Sequence, residues 1–196
     1  MTMVVAMWCR HLGDNIIGVN GQLPWRIDSD SKHFFDVVSG QNVVCGRKTY
    51  ESFPDKTIEG CRLFVFSHHE AYELSDSKHH CLVRTQKELE NLIGEDEDLY
   101  IAGGAEIYKM FMEGKEKFKP HIIVDCVYAG KLDEVNGECA EITSVIEGMA
   151  KKYRKITPDY CLDEVASSIW IRKGEFVSQD ILKRIVCILE KGATLR

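Results

Sequence analysis

Three stretches of this 196-residue chain carry side chains whose types and spacing can do chemistry. The first is Ile17-Gly18-Val19-Asn20-Gly21-Gln22-Leu23-Pro24-Trp25, a glycine-bearing loop that leads to Asp30 and Phe34. Residues four apart project from one helix face, so this carboxylate and aromatic ring can form a slot for a flat heterocycle with ring N–H donors. On helix physics alone, Asp30 also suits a first turn, where the dipole favours an acid. Asp28 is then the better placed cap.

The other two stretches are strand-to-helix junctions with the character of anion sites. Asn42-Val-Val-Cys-Gly46 runs into Arg47-Lys48-Thr49, and Leu99-Tyr-Ile-Ala102 ends at Gly103-Gly104 before a helix opening at Ala105. Glycine permits close backbone approach, a helix start offers free N–H groups, and Arg47 and Lys48 add charge. Two such junctions after neighbouring parallel strands suggest one dinucleotide lying over the carboxyl edge of a sheet. The full Gly-x-Gly-x-x-Gly fingerprint, a Walker motif and His-Glu-x-x-His are all absent. The eight cysteines are scattered with no Cys-x-x-Cys pair, so no metal site is expected and the thiols read as reduced core filling.

These residues need a frame to position them. Apolar runs at Met3–Trp8, Asn42–Cys45, Leu63–Phe66, Cys81–Val83, Leu99–Ala102 and Ile122–Val127 read as buried strands. Helical patterns fall between them, at Asp28–Val38, after the capping box Thr85-Gln-Lys-Glu88, at Ala105–Met112 and at Glu141–Lys151. Tyr153–Ile156 and Ser167–Arg172 read as a late antiparallel pair joined by Thr157-Pro158-Asp159. Strands alternating with helices and closed by a hairpin imply an α/β fold with a mostly parallel sheet. Residues 1–174 make one domain, and 175–196 a helical extension capped by Ser178. Its stripe of Ile181, Leu182, Ile185, Val186 and Leu189 either packs on its own domain or seats a second copy, which leaves monomer and homodimer both open.

Composition narrows the function classes. A net charge of −6, with 44% hydrophobic and 29% charged residues, excludes disordered and collagen-like classes and argues against nucleic acid as the main ligand. No apolar run approaches the roughly 20 residues a membrane span needs. The start, Met1-Thr-Met-Val-Val-Ala6, lacks a basic n-region and reads as a first strand, which implies a cytoplasmic protein.

Val5-Ala6, Ile17-Gly18, Leu23-Pro24-Trp25 with Asp30 five residues on, Gly46-Arg47-Lys48-Thr49-Tyr50-Glu51-Ser52 and Gly103-Gly104-Ala105-Glu106-Ile107-Tyr108 occur in this order. Together they resemble dihydrofolate reductase, over about residues 3–174. The resemblance implies an eight-stranded, mostly parallel sheet with an antiparallel C-terminal strand and flanking helices. It also implies NADPH-dependent reduction of 7,8-dihydrofolate to tetrahydrofolate. By motif position, Asp30 would hold the pterin, with Trp25 and Leu23 in the catalytic loop. Val5, Ala6, Phe34, Phe53 and Ile58 would line the substrate pocket. Ala6, Ile17 and Gly18 would face the cofactor. Gly46, Arg47, Lys48 and Thr49 would take its phosphates, and Ser67 and His68 the adenosine end. Gly103, Gly104, Ala105, Glu106, Ile107 and Tyr108 would form the pyrophosphate side. A related reductase of another pterin or pyrimidine, of riboflavin-pathway type, and a non-catalytic binding relative are the alternatives; Asp30 and both junctions weigh against them.

Three departures stand out. Cys61 occupies the place of an arginine that would clamp the substrate's glutamate tail, and Arg62 next to it would point to the opposite strand face. Ser31 replaces an apolar pocket residue. The strand Ile122–Val127 offers no threonine to back up the acid.

Overall fold

The computed structural model describes residues 2–53, 60–69, 72–74, 78–132 and 136–195. The first half runs β1 (Val4–His11), β2 (Ile16–Val19), α1 (Asp28–Val38), β3 (Asn42–Gly46), α2 (Arg47–Ser52), β4 (Arg62–Phe66), β5 (His80–Val83), α3 (Gln86–Leu92) and β6 (Leu99–Ile101). The second half runs α4 (Ala105–Glu113), β7 (Ile122–Tyr128), β8 (Cys139–Glu141), α5 (Thr143–Lys152), β9 (Tyr153–Lys155), β10 (Tyr160–Leu162), β11 (Val165–Arg172), α6 (Gln179–Leu189) and β12 (Thr194–Leu195).

Residue chemistry explains the main boundaries. Thr85 Oγ1 accepts the Glu88 N–H at 3.1 Å while the Glu88 carboxylate accepts the Arg84 N–H at 2.7 Å, which fixes the start of α3. Ser178 caps α6 through the Ile181 N–H. At α1 the expected cap does not form: Ile27 holds the cap position without a side-chain bond, and Asp28 sits inside the first turn. There it still meets the positive end of the helix dipole.

The strands β5, β4, β3, β6, β1 and β7 lie side by side and parallel. β11 runs antiparallel against β7. The mostly parallel class is as expected, but among the described residues the sheet has ten strands rather than eight. The three-residue β10 and the two-residue β12 are the strands not read from the sequence; β10 pairs with β11, and β12 with β10. The late pair also differs in its connection. β9 does pair with β11, yet β10 intervenes and makes the tight hairpin, turning at Asp163 with φ +51°. A second, two-stranded sheet joins β2 to β8, a pairing too distant in sequence for periodicity to reveal.

Strand alternation sends Val5, Met7 and Cys9 of β1 to the face covered by α1 and α6, and Val4, Ala6 and Trp8 to the face covered by α3, α4 and α5. α6 turns its stripe inward, with Leu182, Ile185, Ile188 and Leu189 buried in the same core as Val37 and Val38 of α1. Of the two expectations for this stripe, the structure shows the first, packing on its own chain. Arg184 secures the contact, because its Nη2 donates at 2.8 Å both to the Val37 carbonyl and to the Tyr100 hydroxyl. Among the described residues no helix is long and apolar enough to cross a membrane, and no His/Cys/Asp/Glu group could hold a metal ion.

Hydrogen bonds from a charged donor contribute about 1.5–3 kcal/mol each. Arg184→Ala is expected to lower unfolding free energy by roughly 2–4 kcal/mol in urea titrations, with an unchanged m-value. A loss below about 0.5 kcal/mol, typical of an undistinguished surface site, would mean that α6 is not docked on α1.

Candidate active site

Asp30 lies in the first turn of α1. It is only 8% exposed. Burial pushes its carboxyl up from 3.8 to about 6, opposed by a hydrogen bond with the Cys9 side chain. Among the described residues no lysine or arginine pairs with it. One turn on, the Phe34 ring stands 5.4 Å from Phe35 and 6.0 Å from Phe53, centroid to centroid. Trp25 is buried against Tyr128 at 4.8 Å, and its indole N–H has no partner among the described residues. A buried acid and an aromatic ring thus stand one turn apart on α1, and Trp25 packs into the same core as Phe34 and Phe53.

The phosphate-type junctions also meet. β3 and β6 are neighbours, and the Gly46 N–H donates to the Gly103 carbonyl at 2.7 Å. Gly103 has φ +95°, and a Cβ there would lie 2.7 Å from the Tyr108 ring, so only glycine fits. Gly46 and Gly104 are the N-caps of α2 and α4, and neither start is closed by a side chain. The first-turn N–H groups can thus hold an anion. Tyr108 connects the two regions: its hydroxyl donates to the Met7 carbonyl at 2.5 Å. Burial, and then the charges of Cys126, Cys9, Cys45 and Asp30, push its titration upward.

Beside the cradle, a cavity of about 470 Å³ is lined by Asn20–Gln22, by Arg47, Lys48, Glu51 and Ser52, and by Glu138. Both cations already face carboxylates. Arg47 Nη1 donates to both Glu51 oxygens at 3.0 and 3.2 Å, and Lys48 Nζ lies 3.7 Å from Glu138. Exposed pairs of this kind contribute at most about 1 kcal/mol, so a bound anion can displace them. Asn20 anchors the opposite wall, donating its N–H to the Glu138 carbonyl at 2.9 Å and accepting the Glu138 N–H on Oδ1 at 3.1 Å.

The remaining expected residues distribute as follows. Ile17 and Gly18 lie on β2, and Leu23 is 50% exposed at the loop. Thr49 backs Gly104. Ala105, Glu106 and Ile107 form the first turn of α4, with Ile107 against Gly46 and Glu106 exposed. Ser67 is buried after β4 and accepts the His69 N–H, while His68 is exposed. Val5 and Ala6 are buried in mid-strand. β1 extends to His11, past the Trp8 at which hydrophobicity alone ends it. Ile58 lies outside the described residues.

The departures take definite positions. Cys61 is buried, and its Sγ donates to the Val38 carbonyl at 2.9 Å. Arg62 lies over the Phe64 ring at 4.9 Å and 3.9 Å from Glu97, away from Cys61. Asp125, on the strand searched for a threonine, faces the opposite side from Asp30. There it takes the Trp8 indole N–H at 2.7 Å and Arg10 through Nε at 2.8 Å and Nη2 at 3.0 Å. Sequence reasoning missed Cys9, Glu51 as the partner of Arg47, and Glu138. Glu51 alone had a local signal, its i,i+4 spacing from Arg47.

A buried acid on α1 and glycine-started helices after β3 and β6 are carried by an α/β protein built on one mainly parallel sheet. Residues 2–131 match the family model described as dihydrofolate reductase. A Lactococcus lactis dihydrofolate reductase is 28% identical over 110 residues, covering 56% of this chain and 64% of that relative. A Mycobacterium tuberculosis dihydrofolate reductase is 30% identical over 112 residues, covering 56% and 65%. The chain thus spans just under two thirds of the length of these relatives. Among solved structures, Enterococcus faecalis dihydrofolate reductase complexed with NADP(H) and RAB-propyl superposes with a TM-score of 0.68 at 17% identity, covering 87% of this chain and 96% of that one. The chain belongs to the dihydrofolate reductase family.

Burial makes the ionised acid a liability to the fold. Its rise from 3.8 to about 6, at about 1.4 kcal/mol per pH unit, costs on the order of 3 kcal/mol once Asp30 is charged. A raised carboxyl leaves stability untouched below pH 3.8 and lowers it as pH climbs through about 6. Asp30→Asn is therefore expected to raise the melting temperature at pH 8 by several degrees and to leave it unchanged near pH 4. Calorimetry at the two pH values checks this; an equal change at both would show that burial of the charge is not the cause.

Proposed function

We propose that this protein reduces 7,8-dihydrofolate to tetrahydrofolate with NADPH, with Asp30 as the acid that binds and polarises the pterin. The observation that carries the reading is the buried Asp30 carboxylate, one helical turn from Phe34 and with no lysine or arginine paired to it among the described residues. A carboxylate with no internal cation is set to take its positive partner from a ligand. The family match and the relatives' printed names support the same chemistry.

Reduction at C6 of the pterin imine needs a proton on N5, so the substrate becomes cationic as it reacts. Asp30 on the far side of the ring holds the amino group and ring nitrogen and stabilises that charge. Phe34 and Phe53 supply the apolar wall that keeps the ring flat against α1. The indole N–H of Trp25 offers a donor to ligand or water at the same pocket. Ordering of residues 18–25 over the cleft would exclude bulk water and strengthen each of these interactions.

NADPH, when bound, supplies the hydride. The donor set fits such a group: two uncapped helix starts at Gly46 and Gly104 for phosphates, with Arg47 and Lys48 beside them. Recognition of the glutamate tail lacks a cation at Cys61, whose thiol is committed to Val38.

Asp30→Asn is expected to slow single-turnover hydride transfer from NADPH to dihydrofolate by about 10²–10³-fold at pH 7. An unchanged rate would remove Asp30 from the reaction. Cofactor choice gives a second test, because Arg47 is the cation placed to leave Glu51 for a 2′-phosphate. Arg47→Ala should weaken NADPH binding by roughly tenfold or more and barely change NADH binding, as read by fluorescence titration. Equal losses for both cofactors would show that Arg47 does not read the extra phosphate.

A further inference from the structure

The mechanism above leaves one polar network unused. Its centre is Arg10, near the end of β1, with a side chain only 14% exposed. Two arms of the guanidinium grip Asp125 on β7, Nε donating to Oδ1 at 2.8 Å and Nη2 to Oδ2 at 3.0 Å. The third arm, Nη1, donates to Asn15 Oδ1 at 2.9 Å. A planar fork serves a carboxylate and an amide at once; the point charge of a lysine does not.

Asn15 stands at the turn into β2, with φ +57°. Its carbonyl accepts the Ile142 N–H at 3.1 Å, and its Nδ2 donates to Thr143 Oγ1 at 3.4 Å, at the start of α5. It therefore sits at the root of the two-stranded β2–β8 sheet. At the far end, Asn20, Gly21, Gln22 and Glu138 form one wall of the cavity that Arg47, Lys48, Glu51 and Ser52 line from the other side. The four residues of β2 separate root from wall. At roughly 3.3 Å per residue that is about 13 Å, so a small tilt at Asn15 becomes a change in cavity width.

Other attachments of this small sheet are weaker or less directional. Ile17 packs on the core, which holds β2 down without fixing its angle. The pairs His11–Asp14 and Lys48–Glu138 are exposed, at 2.9 and 3.7 Å, and such pairs contribute little. The Arg10–Asp125 pair is buried, and a buried guanidinium holds its geometry because each arm needs a partner.

We propose that Arg10 and Asn15 form a tether that positions the β2–β8 sheet, and through it the Asn20–Glu138 wall of the cofactor cavity. Asp125 supplies the fixed point and Asn15 the moving one. Both tether residues act through the sheet and not on the ligand, so they are positioning residues. The tether stands on its own geometry; its consequence for NADPH rests on the reading of the cavity as part of the cofactor site.

Truncating Arg10 would strand a buried carboxylate, so the test uses milder changes. Arg10→Lys keeps a charge for Asp125 and drops the bond to Asn15. Asn15→Gly suits the positive φ and removes the acceptor, whereas Asn15→Asp retains it. Amide hydrogen exchange in the ligand-free protein reads the sheet at Val19 and Asn20, whose N–H groups donate to the Gln22 and Glu138 carbonyls. Arg10→Lys and Asn15→Gly are each expected to speed exchange there by about fivefold or more, with β3–β4 amides unchanged. The double variant should exchange no faster than either single one, and Asn15→Asp should stay within about twofold of the parent. Fluorescence titration should show NADPH and NADH both bound about fivefold more weakly by the two loosened variants, because a displaced wall does not distinguish a 2′-phosphate. Unchanged exchange, additive effects, or equal loosening by Asn15→Asp and Asn15→Gly would overturn the tether. Faster exchange with unaltered affinity for both dinucleotides would overturn its role at the cavity. A parent protein that binds neither dinucleotide would overturn the cofactor reading, and the exchange rates would still decide the tether.

Discussion

A carboxylate enclosed in protein, with no lysine or arginine paired to it among the described residues, is the constraint on which the rest of this structure turns. Asp30 is 8% exposed and its titration is pushed up to about 6, so at neutral pH the folded chain carries a buried charge that no described lysine or arginine pairs with. Such a group survives only where the surrounding fold is stable enough to hold it. The same deficit gives it a use. A ligand that brings a positive centre to the ring stack at Phe34 regains much of what folding gave up, and the gain grows as the ligand's charge develops.

The frame that absorbs this cost is built around the β1–β7 seam. On one face the seam carries Cys9 and Cys126 under the acid. On the other, Asp125 is satisfied by the Trp8 indole and the Arg10 guanidinium, a buried pair with each donor in place. Asp125 is fully paired and holds the strands, whereas Asp30, on the other face, has no cation paired to it among the described residues. α1 is fixed in turn from outside, where α6 covers it and Arg184 ties its last turn to Tyr100. Tyr108 then joins seam to cradle, with its hydroxyl on Met7 and its ring against Gly103. A shift in any of these elements changes the distance between acid and phosphate cradle.

What the sequence made legible was local. Asp30 and Phe34 share a helix because they are four apart, and both glycine junctions were visible as strand ends running into helix starts. The capping box at Thr85 fixed its helix, and the alternation of strands and helices gave a mostly parallel sheet. What escaped depended on register between distant strands. Cys9 looked like core filling, because only the pairing Cys9↔Cys126↔Ser167 brings a polar row beneath α1. The β2–β8 pair, whose extension places Asn20 opposite Glu138, joins segments more than a hundred residues apart. The direction of the α6 stripe was undecided, since an apolar face does not say what covers it. β1 also ran three residues further than its apolar run, because Cys9, Arg10 and His11 continue the pairing with β7.

The central claim is that one cleft holds a pterin against Asp30 and a dinucleotide against the Gly103–Gly104 turn. A crystal structure of the protein with folate and NADP⁺ tests this most directly. The account predicts the pterin amino group and ring nitrogen on the Asp30 carboxylate, with Phe34 against the ring. It also predicts pyrophosphate oxygens on the N–H groups that open α4, and Arg47 turned from Glu51 to the 2′-phosphate. A pterin bound with Asp30 out of contact, or a dinucleotide seated away from both glycine junctions, would contradict it.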